Sequence, residues 1–312
     1  MKKILLSLGL LLGISAISFS EIKEKKEIKI GITQIIEHPA LDAARAGVER
    51  ALKEKAGDRD IKIEYQSAQG DFGTAQLIAK SFVSAKKDLI VAISTPSAQA
   101  VLNATKEVPI VFTAVTDNVS AGLKGDNITG TLDASPLQEQ IKLAKDLFPK
   151  AKNIGFLYNP SEQNSLVILK EFKEIAQKNN LIVIEKGVNT VNDINLALNS
   201  LLNQIDILYL PTDNLVSSAT SLVNKKALEK KIPTIASEEE LVKKGALTTQ
   251  SIDYEKLGYQ TGERIVEILN GKNPKDIEVE GLKENKLVVN EKTAKELGIS
   301  LEHQALKGAI KY

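Results

Sequence analysis

Three polar side chains, Thr212-Asp213-Asn214, close the apolar run Ile207-Leu208-Tyr209-Leu210-Pro211. A carboxylate between a hydroxyl and an amide, at the end of a buried segment, can hold an ammonium group. Asp213 is the first candidate for that role, and Asp117 of Thr116-Asp117-Asn118 is the second. The other charge of a zwitterion, a carboxylate, needs N–H donors and the positive ends of helices. Thr95-Pro96-Ser97 and Asn159-Pro160-Ser161 read as helix starts of that kind, with a cap followed by Pro. Asn164-Ser165 lie one turn into the second of these helices, and Gln34 directly follows the first apolar run. With Asp253, between two later segments, these give a ligand-binding set of Gln34, Thr95, Ser97, Thr116, Asp117, Asn159, Asn164, Ser165, Thr212, Asp213, Asn214 and Asp253.

Each member has a plainer reading. Thr95, Asn159 and Ser161 cap their own helices, Asp117 and Asn118 form a loop, Asp133 and Asp253 order turns, and Glu37-His38 marks a helix entry. The case rests on the set sharing one edge. Apolar runs ending in small polar residues recur at Ile30-Gly31-Ile32-Thr33-Gln34, Ile90-Val91-Ala92-Ile93-Ser94-Thr95, Val111 to Asn118, Ile154 to Asn159 and Ile235-Ala236-Ser237-Glu238. Such runs read as buried parallel strands, and open α/β sheets bind ligands at the carboxyl ends of their strands.

Reactive chemistry is poorly provided for. The chain has no Cys, and its two His, His38 and His303, lie far apart. There is no G-x-S-x-G elbow, no G-x-G-x-x-G after the first strand, no phosphate-binding G-x-x-x-x-G-K-[ST] and no metal-ligand spacing. No cofactor and no metal are expected. A set of neutral hydrogen-bonding groups with a few acids suits the binding of a small polar molecule without its conversion. The remaining enzyme reading is a hydrolase or racemase using Asp213 or Glu238.

The elements that must position these groups follow in order. Strands read at Ile28–Thr33, Ile61–Gln66, Asp88–Ser94, Pro109–Val115 and Ile128–Leu132, then at Asn153–Tyr158, Leu181–Val188, Asp206–Leu210, Pro233–Ala236 and Ala246–Gln250. Helical patterns separate most of them. The expected fold class is α/β, with two Rossmann-like lobes of parallel strands joined by a multi-strand hinge. Residues 21–132 with about 254–280 make lobe 1, and 133–253 with the tail 281–312 make lobe 2. The crossovers run through Gly130 to Pro136 and Gln250 to Tyr254, and the helix Tyr254 to Leu269 ends at Asn270-Gly271. In the tail, Leu287-Val288-Val289 is strand-like and Glu291 to Leu297 helical.

Residues 1–20 combine Lys2-Lys3, an apolar stretch from Ile4 to Ile17 and the small exit Ser18-Phe19-Ser20, the pattern of a secretory signal. Its removal takes two of 41 basic residues and none of 40 acidic ones, leaving a net charge of −1. That balance argues against nucleic acid as a partner. Without a Cys to carry lipid, the exported chain is expected to be soluble in a periplasm and monomeric.

Six blocks then carry a resemblance: Gly31 to Asp42, Thr95 to Gln99, Val111 to Asp117, Tyr158 to Ser165, Pro211 to Asn214, and Ile252 to Tyr254. Together they resemble the tryptophan/tyrosine-type substrate-binding proteins of ABC transporters, over essentially all of the mature chain. The resemblance implies a type I periplasmic binding protein fold with three crossovers, a membrane permease as partner, and an amino acid, aromatic by the same resemblance (Trp, Tyr or Phe), as ligand. It also implies that Thr95, Thr116, Asp117, Asn159, Ser165, Thr212, Asp213 and Asn214 line the cleft. The same fold can instead report its ligand to a membrane receptor as a sensor. Two departures stand out: Asn118 occupies a position where the family commonly has Pro, and the lipid-anchoring Cys of many relatives is missing. Phe72, Phe112, Tyr158, Tyr209 and Tyr254 are the aromatic candidates for stacking or for core.

Overall fold

The structure is a computed structural model that describes residues 27–312. The expected signal segment therefore lies outside the described residues. The chain first lays down β1 (Ile28–Gln34), α1 (Pro39–Lys55), β2 (Ile61–Ser67), α2 (Phe72–Ser84), β3 (Leu89–Ile93), α3 (Thr95–Ala104), β4 (Ile110–Val115) and β5 (Ile128–Leu132). It continues through α4 (Leu137–Leu147), β6 (Asn153–Tyr158), α5 (Gln163–Lys178), β7 (Ile182–Gly187), α6 (Val191–Leu201), β8 (Ile207–Leu210), α7 (Asn214–Ser218), α8 (Thr220–Glu229), β9 (Thr234–Ala236), α9 (Glu239–Lys243) and β10 (Thr248–Ser251). It closes with α10 (Tyr254–Leu269), β11 (Glu280–Gly281), β12 (Lys286–Val289), α11 (Glu291–Glu296) and β13 (Ile310–Lys311).

Two sheets result. The first has the order β11-β5-β4-β3-β1-β2 and is parallel throughout. The second has the order β13-β12-β10-β9-β8-β6-β7, parallel except where β12 runs antiparallel to β10. Central strands such as β3 and β4 are buried along their whole length. Their sequences are correspondingly near-continuous apolar runs, as expected for parallel strands covered on both faces. The chain changes sheet at 133–136, at 252–253 and again at 282–285.

Close backbone contact ties α10 to the first lobe. A Cβ on Gly258 would lie 1.8 Å from the Ala44 carbonyl oxygen, and one on Gly47 would lie 2.1 Å from that of Glu255. Only glycine permits α1 and α10 to touch main chain to main chain. In the second lobe, Phe156, Phe172 and Tyr209 pack ring against ring, with centroids 4.3–5.6 Å apart. Tyr209 is fully buried and donates its hydroxyl to Gln140 Oε1 at 2.6 Å. Phe112 is likewise core in the first lobe. Of the five aromatic candidates, only Tyr254 and Phe72 reach the space between the lobes.

Candidate functional site

Both sheets present their carboxyl ends to the gap between the lobes, and two chambers lie there. The inner one, on the hinge side, is tight, with a cavity volume of about 10 Å³. His38 and Leu41 enter it from the start of α1, Thr95 from the start of α3, and Ala114 and Thr116 from the end of β4. Asp133 and Tyr254 come from the crossovers, Asn164 from α5, Thr212, Asp213 and Asn214 from the β8–α7 junction, and Glu238 from just before α9. Two non-glycine residues beside it hold left-handed backbone, Ser94 at φ 92° and Ala114 at φ 54°. Strain of this kind collects where a site must be shaped.

The inner chamber carries buried polar atoms without partners: Thr95 Oγ1, His38 Nδ1, Asn164 Oδ1 and Glu238 Oε2. Its charge is one-sided, since Asp133, Asp213 and Glu238 line it and no Lys or Arg does. Burial raises all three acids. Asp133 is pushed up to about 6, although it accepts from the Tyr254 hydroxyl at 2.8 Å and the Thr116 hydroxyl at 3.2 Å. Glu238 is raised well above its ordinary value by burial and then by the neighbouring charge of Asp133. His38 is lowered to about 4 by burial, so its ring is neutral near pH 7. A cation entering this chamber meets acids that no basic side chain pairs, in a site shielded from water, and its charge favours their ionisation.

Asp213 was the first choice for that cation, yet its oxygens are engaged. Oδ2 accepts from the Asn159 N–H and the Ser165 hydroxyl, both at 2.6 Å, and Oδ1 accepts from the Val216 N–H at 2.9 Å, capping α7. The carboxylate oxygen left open is that of Glu238.

Six of the twelve expected residues line the inner chamber: Thr95, Thr116, Asn164, Thr212, Asp213 and Asn214. Asn159 lines the outer chamber, and its Oδ1 accepts from the Ser161 N–H at 3.0 Å. Five face neither chamber. Gln34 turns back to donate to the Ile36 carbonyl at 2.9 Å and to Asp42 at 3.0 Å, bracing the turn into α1. Ser97 is buried against Ser94, the hydroxyls 3.3 Å apart. Ser165 sits behind Asp213. Asp117 accepts from the N–H groups of Val119 and Ser120 and from the Ser120 hydroxyl, which hold its pKa below the ordinary value. Asp253 caps α10 through the Lys256 N–H at 3.1 Å and pairs with Lys286 at 2.7 Å.

His38, Leu41, Ala114, Asp133, Glu238 and Tyr254 were not in the expected set. Asp133 and Glu238 follow strand ends directly and obey the same rule that selected the others. On the sequence Asp133 reads as ordering a hinge turn, and Glu238 enters only the enzyme reading.

The outer chamber, about 340 Å³ and partly open to solvent, lies further from the hinge. Asn214 stands between the two. Its backbone N–H donates to Glu162 Oε2 at 3.1 Å, its side-chain amide donates to the same oxygen, and its Oδ1 lies 3.5 Å from His38 Nε2. Glu162, buried and next to Asp213, is raised to about 7 by burial first and by that charge second.

Comparison with known proteins gives a consistent picture. A family model described as ABC transporter substrate binding protein matches residues 29–312. The chain is 51% identical over 282 residues to a tyrosine-binding protein of Clostridioides difficile (strain R20291), covering 88% of this chain and 81% of that one. Among solved structures, a Streptococcus pneumonia ABC domain in complex with L-Trp is 35% identical, with TM-score 0.87 over 91% of this chain and 99% of that one. A ligand-free, open substrate-binding protein with adhesive properties from Clostridium difficile is 49% identical, yet its TM-score is 0.68 over the same shares. The better sequence match superposes less well. The architecture is the type I periplasmic binding protein fold.

Proposed function

The chain belongs to the ABC transporter substrate-binding proteins, a family of binding proteins rather than enzymes, and from that premise we propose that it is an extracytoplasmic receptor for an aromatic amino acid. It acts as a monomer that closes on tyrosine or tryptophan and delivers it to a membrane permease. Among the described residues no helix is long and apolar enough to cross a membrane.

The observation that carries this reading is the unpartnered, buried oxygen of Glu238 in a chamber that holds three acids and no Lys or Arg. A buried carboxylate oxygen without a donor is costly, and a ligand ammonium supplies the missing partner. Asp133 sits in the same chamber and adds to the attraction. The ligand carboxylate fits the opposite chemistry, the free Thr95 hydroxyl at the positive end of α3. The name of the relative from Clostridioides difficile and the L-Trp bound to the streptococcal domain both support an aromatic side chain.

The test is a thermal-shift screen against the twenty amino acids, since a ligand that binds only the folded state must stabilise it. Tyrosine or tryptophan should raise the midpoint most. Glu238→Gln, which keeps the shape and removes the charge, should weaken that ligand roughly ten- to a hundredfold, the range of one charge-assisted bond of about 1.5–3 kcal/mol. Absence of any shift, with no amino acid released from the denatured protein in mass spectrometry, would refute the reading.

A further inference from the structure

We propose that the outer chamber is the subsite for the ligand's aromatic ring, that Asn214 is the door between head and ring, and that Gln163 selects rings carrying a hydrogen-bond donor. This deepens the functional reading above and rests on it.

The two chambers differ in size and lining. The inner one is the smaller, about 10 Å³ against about 340 Å³, and it is lined largely by acids, hydroxyls and amides. A ring confined there would lie against desolvated carboxylates. The outer chamber is lined by the apolar Ile36, Phe72, Pro96 and Leu215 together with polar groups such as Asn159, Glu162 and Gln163. Phe72, on the first turn of α2, is 41% exposed, an aromatic surface that the fold itself leaves partly uncovered. Ile36, Phe72 and Pro96 belong to the first lobe and Leu215 to the second, so closure of the lobes assembles the pocket. Stacking of a ligand ring on Phe72 and burial against the aliphatic walls are the expected gains.

Continuity between the chambers runs through one residue. Asn214 lines both, and it is held by Glu162 from the second lobe and touched by His38 from the first. An amino acid whose charged head occupies the inner chamber can place its ring outside only by swinging the Asn214 amide aside. The occupant's chemistry is narrowed by a further atom. Gln163 lines the outer chamber, and its Oε1 is buried without a hydrogen-bond partner. An unpartnered acceptor beside the apolar wall fits a phenol O–H or an indole N–H and gains nothing from a bare phenyl ring. One oxygen thus accommodates tyrosine and tryptophan and disfavours phenylalanine.

The experiment is isothermal titration of tyrosine, tryptophan and phenylalanine into the wild type, Gln163→Leu and Ile36→Trp. Gln163→Leu should weaken tyrosine and tryptophan about tenfold and leave phenylalanine unchanged or tighter, so that discrimination collapses. Ile36→Trp, which fills the chamber, should weaken all three at least tenfold. If that variant fails to fold, Phe72→Ala, at a partly exposed position, takes its place with the same expectation. Folded variants that bind all three rings within twofold of the wild type would overturn the proposal. If Glu238→Gln still weakened binding in that case, the head-group reading would survive and only the ring subsite would fall. A wild type that binds none of the three would remove both.

Discussion

The tripeptide Thr-Asp-Asn occurs twice, at 116–118 and at 212–214, and each copy follows a central strand. The two aspartates have opposite fates. Asp213 is 1% exposed, accepts from three donors contributed by α5, α7 and the loop before α5, and is raised by burial. Asp117 lies at the surface of a turn, accepts only from Val119 and Ser120, and is held below its ordinary value. The cause is what comes next in the chain. β8 runs into α7, whose first N–H groups need a cap, and α5 packs over the junction. β4 runs instead into an open loop that reaches β5 without a helix. Residue type alone does not decide whether a carboxylate becomes scaffold, surface turn or ligand contact. Those fates follow from the donors that the neighbouring elements bring to it.

The strongest way to break this comparison is to remove the carboxylate that acts as scaffold. Asp213→Ala strands the N–H groups of Asn159 and Val216 in the interior, with the Ser165 hydroxyl. An unsatisfied buried donor costs about 1–3 kcal/mol, and loss of a desolvated charge offsets part of the sum. The variant should lose about 3 kcal/mol in urea unfolding of the ligand-free protein. A loss below about 1 kcal/mol would show that Asp213 is not scaffold, and it would return that residue to first place as the ammonium's partner.

The contrast also explains what could be read from the chain. Apolar runs ending in small polar residues are local signals, and they located the central strands and the edge where Thr95, Thr116, Asn164 and Thr212 to Asn214 converge. Which oxygen remains free at that edge is not local. Asp213 is satisfied by groups 48 and 54 residues away, whereas Glu238 keeps an oxygen without a hydrogen-bond partner, the Ser217 hydroxyl lying near its carboxyl. Gln34 had the right position but lines neither chamber: its Nε2 donates to Asp42 and the Ile36 carbonyl, and its buried Oε1 has no partner. The outer chamber was hidden for a different reason. Phe72 was a candidate for stacking or core, but Ile36 and Leu215 carry no local signal, and only the fold brings the three into one lining.

A smaller effect sharpens the comparison through pH. Asp133 has a folded-state pKa near 6 against an ordinary value of 3.8, so the folded protein binds more protons than the unfolded chain between those values. Its contribution to stability is full below pH 4 and falls as pH rises towards 6 and beyond, a change of order 2–3 kcal/mol. Glu238 acts in the same direction. The ligand-free protein should therefore lose part of this slope on Asp133→Asn, as followed by unfolding midpoints from pH 4.5 to 7.5. A bound ammonium favours the ionised acids, so tyrosine should bind more tightly as pH rises across this range, with release of protons to the buffer. Uptake of protons on binding would contradict the placement of the ammonium beside Glu238 and Asp133.

Asp117 should give the smallest change, with the opposite pH sign. Its lowered pKa means that its stabilising contribution is present above the unfolded value near 3.8 and is lost as pH falls through the folded one. The group is largely solvated, so water screens most of that contribution and replaces the hydrogen bonds to Val119 and Ser120 when the side chain is removed. Asp117→Ala should cost at most about 1 kcal/mol, the usual loss for such a capping carboxylate. Because the side chain faces neither chamber, tyrosine affinity should stay within twofold of the wild type. A tenfold loss of affinity in the folded variant would place Asp117 at the ligand after all. It would also mean that the 116–127 loop moves over the cleft when the lobes close, and that the two Thr-Asp-Asn segments serve one site from its two sides.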